Sequence, residues 1–201
     1  MDDLTRQLIK REAAKLSPAL FEHLDGAIAS AAGLPFSRER FPHAHAFHTR
    51  AVLRDALERE DLPEGWAVTG NTRSTGQTFL TNRDLGTTLR LLSESRVTTN
   101  GVPHAGRNRA RRTQWAQLSF FGHEGMSHRQ LLLLMDTRAD EPALRIVHPL
   151  EAGRYKGKVA CDFLVDMIRE FDDVGNATFD TAEEYIDFFA DIDDEEARGD
   201  V

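Results

Sequence analysis

Residues 129–137, RQLLLLMDT, constrain the fold more than any other stretch. Successive side chains of a strand point to opposite sides, so the apolar run from Leu131 to Met135 leaves no polar face. Such a strand belongs at the centre of a sheet. As a helix, the run would fall far short of the ~20 apolar residues needed to cross a membrane. The next segment, ALRIVHPL (143–150), alternates, with Leu144, Ile146 and His148 opposite Arg145 and Val147. The short RADEP connection makes the two a hairpin.

Upstream, WAVTG, QTFLT and TTLRLLSE are short β-branched or aromatic runs separated by NTRSTG and NRDLG, which predicts an antiparallel meander. Downstream, KVACDFLVDM predicts a further strand. Val159, Cys161, Phe163, Val165 and Met167 form its apolar face, with Asp162 and Asp166 opposite. The first third is helical in period. Leu4, Leu8, Ile9 and Leu16 mark one helix. Ser17 as N-cap and Pro18 in the first turn mark a restart, whose face is Leu20, Leu24, Ile28 and Ala31 and whose end is Gly33-Leu34-Pro35. A third helix is expected from about Ala44 to Glu60, with Phe47, Val52 (or Ala51) and Leu57 inward.

Strands in succession without interleaved helices give an α+β fold. The expected architecture is an N-terminal helical segment, an antiparallel sheet of about five or six strands, and an acidic amphipathic C-terminal helix. The parts are residues 1–62 (helical), 63–177 (β-rich, with one arginine-rich helix) and 178–201 (acidic helix and tail), together one globular unit.

Charge is unevenly spread: residues 1–60 are neutral, 61–160 carry +5, and 161–201 carry −13, for a net charge of −8. Arginine supplies 21 of the 25 basic side chains, the bias of a GC-rich bacterial coding sequence. A single cysteine, Cys161, excludes an intramolecular disulfide, and MDDLTRQLIKREAAKL is amphipathic rather than a signal peptide. A cytoplasmic protein is expected, with no membrane segment.

Four arginines, Arg107, Arg109, Arg111 and Arg112, crowd one stretch. On a helix, at ~100° per residue, Arg107 and Arg111 share a side with Trp115 and Leu118. Burial of that side draws these two inward, so the cluster reads first as intramolecular and alternatively as an anion or nucleic-acid contact. His43, His45 and His48 lack a convergent carboxylate or cysteine, so no metal and no cofactor is expected. Asp162 and Asp166 stand roughly 13 Å apart along a strand, too far to act as one acid/base pair. Asp136, ending the LLLLM strand, is the one carboxylate placed for a hydrolase or nuclease site. Its alternative role is to terminate the strand and pair with an arginine.

Near the C-terminus, Thr181 and Glu184 form a capping box, and Tyr185, Phe188, Phe189 and Ile192 follow at helical spacing among acids. That stripe must dock on the chain itself, on a copy, or on a partner. The function expected is therefore non-catalytic: protein–protein interaction of a regulatory, inhibitor or antitoxin-like kind, with a basic protein partner or self-association. The alternatives are nucleic-acid binding through Arg107–Arg112 with an autoinhibitory tail, and a hydrolase or nuclease using Asp136.

Overall fold

A single helix, α1 (Asp3–Ala32), runs the full length of the region expected to hold two. The restart at Ser17 does not occur. Ser17 is buried, and its hydroxyl donates to the Ile168 carbonyl instead of capping a helix. Pro18 sits inside α1 but on its exposed side, where water can solvate the carbonyl that proline leaves without a donor. Leu16, Leu20 and Leu24 carry one fully buried stripe through this point. Burying three leucines, at about 1.5–3 kcal/mol each, outweighs the ~3 kcal/mol cost of an internal proline.

The second helix, α2 (Pro42–Arg59), begins on a proline in its first turn. His45, Thr49, Leu53 and Leu57, spaced by four, face the core. Phe47, expected inward, is 47 % exposed, because it falls on the opposite side from that stripe.

In the computed structural model the described residues are 1, 3–73, 77–106, 112, 115, 120–121, 127–138 and 141–169, with the backbone alone for 120–121 and 127–129. Seven strands follow the helices: β1 (Trp66–Thr69), β2 (Phe79–Asn82), β3 (Thr87–Ser93), β4 (Phe120–Phe121), β5 (Ser127–Asp136), β6 (Ala143–Pro149) and β7 (Cys161–Asp166). Six form a sheet in the order β1-β2-β3-β5-β6-β7, and β4 pairs with the start of β5. The fold is thus α+β, as expected. The sheet, however, is mixed. β3 and β5 run parallel, with Leu89 beside Leu131 and Leu91 beside Leu133. Residues 94–126 separate these strands, enough chain to return to the same end of the sheet, whereas the shorter connections elsewhere join antiparallel neighbours.

β5 is central, and its two apolar faces pack on different layers. Leu131, Leu133 and Met135 join Leu89, Leu91, Leu144 and Ile146 against the buried side of α1. Leu132 and Leu134 join Val147 under Val102, Ala105, Trp115 and Val159 from the long connections. Residues 162–169 are tied to α1 along its length. Arg6 donates to the Asp162 carbonyl (3.1 Å), Ser17 to that of Ile168, and Arg169 pairs with Asp25 (2.6 Å) over the Phe21 ring.

A register shift between His148 and Pro149 corrects the expected face of the last strand. One extra residue re-aims the chain. Phe163, Val165 and Met167 consequently pack with the helix-side core, while Val159 and Cys161 pack with the opposite cluster. Residues Met1–Phe171 form one unit. Residues 172–201, which include the expected acidic helix, lie outside the described residues.

Candidate functional site

Parallel strands end together, and the crevice beyond their carboxyl ends is a common ligand position in sheet proteins. Here the ends of β3 and β5, at Ser93 and Asp136, open into a cleft of about 930 Å³. That volume suits a small molecule. Ile28 and Ala31 of α1, with Leu34 and Phe36 of the connection between the helices, give it an apolar lining. Arg38, Arg96, Arg138 and His43 supply polar groups.

A network of four charges fixes one wall. The backbone N–H and Nε of Arg138 donate to Asp136 Oδ1 at 3.0 and 2.6 Å, and its Nη2 donates to Oδ2 at 3.0 Å. These bonds hold the Asp136 carboxyl below its ordinary pKa against the opposing effect of burial, and raise that of Arg138. Arg138 also reaches Glu94 (3.4 Å), whose carboxylate pairs with Arg145 of β6. Gly101 closes over that pair at φ +72°. That φ favours glycine, and a Cβ there would lie 2.6 Å from Arg145 Nη2 and 2.7 Å from Glu94 Oε2, so any other residue would push on the pair.

The connection between the helices forms the opposite wall. Its Phe36 ring meets Phe41 and His45 edge-on, and His45 Nε2 donates to the Phe36 carbonyl at 2.8 Å. Arg38 Nη2 donates to Thr137 Oγ1 at 3.0 Å, linking this connection to the end of β5. Among the described residues, no carboxylate lies within ion-pairing distance of Arg38 or Arg96. The start of α2 has no side-chain cap and no acid in its first turn, and the Glu39 carboxylate before it interacts with His45 by charge.

The structure separates the three histidines. His45 turns inward to Phe36, His48 meets Ser30 Oγ (2.9 Å), and His43 is exposed at the cleft. Among the described residues, no group of His, Cys, Asp or Glu is gathered to hold a metal ion. Asp136 adopts the strand-terminating, arginine-paired role. Asp162 bonds His148 and the Met1 ammonium rather than Asp166. Burial pushes the Cys161 thiol up to about 11. Arg112 is exposed and Trp115 is buried at 2 %. Arg107, Arg109 and Arg111 lie outside the described residues, as do Tyr185, Phe188, Phe189 and Ile192.

Sequence reasoning missed Arg38, Glu94, Arg96 and Arg138. Only the Asp136–Arg138 pair carries a local signal, an acid and an arginine two residues apart at a strand end. The others converge through the parallel pairing, which no local pattern reveals.

No protein family, characterised protein or solved structure matches this chain. No helix among the described residues is long and apolar enough to cross a membrane.

Proposed function

We propose that this chain is a non-catalytic regulatory protein of the cytoplasm, of an inhibitor or antitoxin-like kind, that engages a basic protein partner. One observation carries the reading. The two carboxylates best placed for chemistry at the end of the sheet, Asp136 and Glu94, are both committed to internal arginines. A general base or nucleophile needs a free reactive group. The charge available to a partner lies instead in residues 178–201, at net −9. Acidic groups around an aromatic stripe suit a basic surface, where the charges steer the encounter and the rings anchor it. Tyr185, Phe188, Phe189 and Ile192 are the proposed anchors.

The test is quantitative affinity capture from the native host with the full chain and with a chain ending at residue 177. Support requires a basic protein that is lost on truncation and on Phe188→Ala/Phe189→Ala, and weakened by salt. Identical captures from both chains would overturn the reading.

A second reading, nucleic-acid contact through Arg107, Arg109, Arg111 and Arg112, is favoured by the exposure of Arg112. It requires duplex binding at ~150 mM salt that falls with Arg109→Ala and Arg112→Ala.

A further inference from the structure

We infer that the cleft at the carboxyl ends of β3 and β5 binds a small organic oxyanion, a carboxylate or phosphate carried on an apolar body. This inference is independent of any protein partner. The cleft joins two kinds of surface within about 930 Å³. Ile28, Ala31, Leu34 and Phe36 offer an apolar bed with no ionisable group of their own. Arg38 and Arg96 bring two guanidinium groups to the same space with no carboxylate partner at ion-pairing distance among the described residues.

Guanidinium donors match the planar edge of a carboxylate or two oxygens of a phosphate. Arg38 is already oriented by its bond to Thr137 Oγ1, which lowers the ordering cost on binding. The uncapped start of α2, contributing Pro42 and His43 to the lining, adds partial positive charge in the same place. Two acids also line the cleft. Glu94 is neutralised by Arg145 and Arg138, and the exposed Glu39 carboxylate is engaged first by its own backbone N–H and Ser37 and then by the charges of His45 and Arg38. Neither Arg38, which feels the Glu39 charge without pairing to it, nor Arg96 is held in an ion pair among the described residues, so both can turn to an anion.

Isothermal titration of the full chain with octanoate, octyl phosphate, octanol and inorganic phosphate tests this directly. At least one of the two amphipathic anions binds, and octanol and inorganic phosphate each bind at least about tenfold more weakly, since each lacks one half of the recognition. The stronger of octanoate and octyl phosphate identifies the head group. Arg96→Glu lowers affinity by about tenfold or more without moving the melting temperature, because Arg96 holds nothing together in the described structure. Thr137→Val, which removes the bond to Arg38 but keeps both charges, costs less affinity than Arg38→Ala. The inference is overturned if octanol binds as tightly as the anions, if neither anion binds at about 1 mM, or if Arg96→Glu and Arg38→Ala both leave binding unchanged.

Discussion

Glu94 and Arg145 form an ion pair directly beneath the backbone of Gly101, with the Glu94 side chain 9 % exposed. Arg145 also donates to the Asn100 carbonyl at 3.3 Å, so one guanidinium fastens the 94–102 connection to β6. Replacing Glu94 with alanine leaves that guanidinium largely buried without its acid. We expect a loss of about 3 kcal/mol, the lower end for a broken buried pair because Arg145 keeps some solvent contact. Gly101→Ala meets both a strained φ and two charged groups closer than van der Waals contact, for a loss of about 2–3 kcal/mol. Urea unfolding midpoints check both. An unchanged midpoint for either would show that the connection is not fastened there.

Pro18→Ala should stabilise the protein. Pro18 is exposed, so the change removes no core packing, and it restores a backbone N–H to the middle of α1. The expected gain is about 1–2 kcal/mol, part of the ~3 kcal/mol propensity difference between the two residues in a helix interior. A rise in melting temperature is the readout. A fall would mean that Pro18 itself helps to hold Ser17 against Ile168.

Asp136 contributes to the acid limb of stability. Its folded carboxyl titrates below the ordinary aspartate value, chiefly because Arg138 hydrogen bonds favour the ionised form. The contribution is therefore present above about pH 4 and is lost as pH falls through the lower folded value. Asp136→Asn should cost about 1–2 kcal/mol at pH 7. Its stability curve should converge on that of the parent chain at the acid end. Parallel curves at all pH values would contradict the pairing.

Cys161 should behave oppositely, at the alkaline end. Its thiol shifts from 9.0 to about 11, first through burial and then through the neighbouring Asp162 charge. Folding favours the neutral thiol, so stability is unaffected below pH 9 and declines as pH rises from 9 towards 11. Alkylation by iodoacetamide at pH 8 should be at least about tenfold slower in the folded chain than in urea, because the thiolate is the reacting species. Equal rates would place the thiol in open solvent.

Much of the fold was legible because its signals are local. Turn residues around Gly70 and Gly86 delimit β1, β2 and β3, and the doubly apolar run from Leu131 to Met135 identifies the central strand. The errors arise where distant contacts outweigh local rules. Ser17 and Pro18 have the chemistry of a helix start, but Ser17 has a partner 151 residues away. Period-two reasoning carried Val159 and Cys161 onto the face of Phe163 because it cannot see the register shift opposite Pro149. Relative strand direction has no local signature, so the parallel β3–β5 pair was not foreseen. The cleft it opens was therefore invisible, as were Arg38 and Arg96, which lie 58 residues apart in the chain and share no motif.

The fastening of α1 by residues 162–169 matters during synthesis. A ribosome making ~5–20 residues per second takes roughly 7–30 s to extend the chain from the middle of α1 to Arg169. For most of that interval the leucine stripe of α1 lacks one or more of the central strands it packs on, and until its end Ser17 and Asp25 are without their partners. The nascent helix is thus a natural client for chaperones that shield apolar surface. The helix can be fastened to its sheet only once residues 162–169 have themselves left the ribosome.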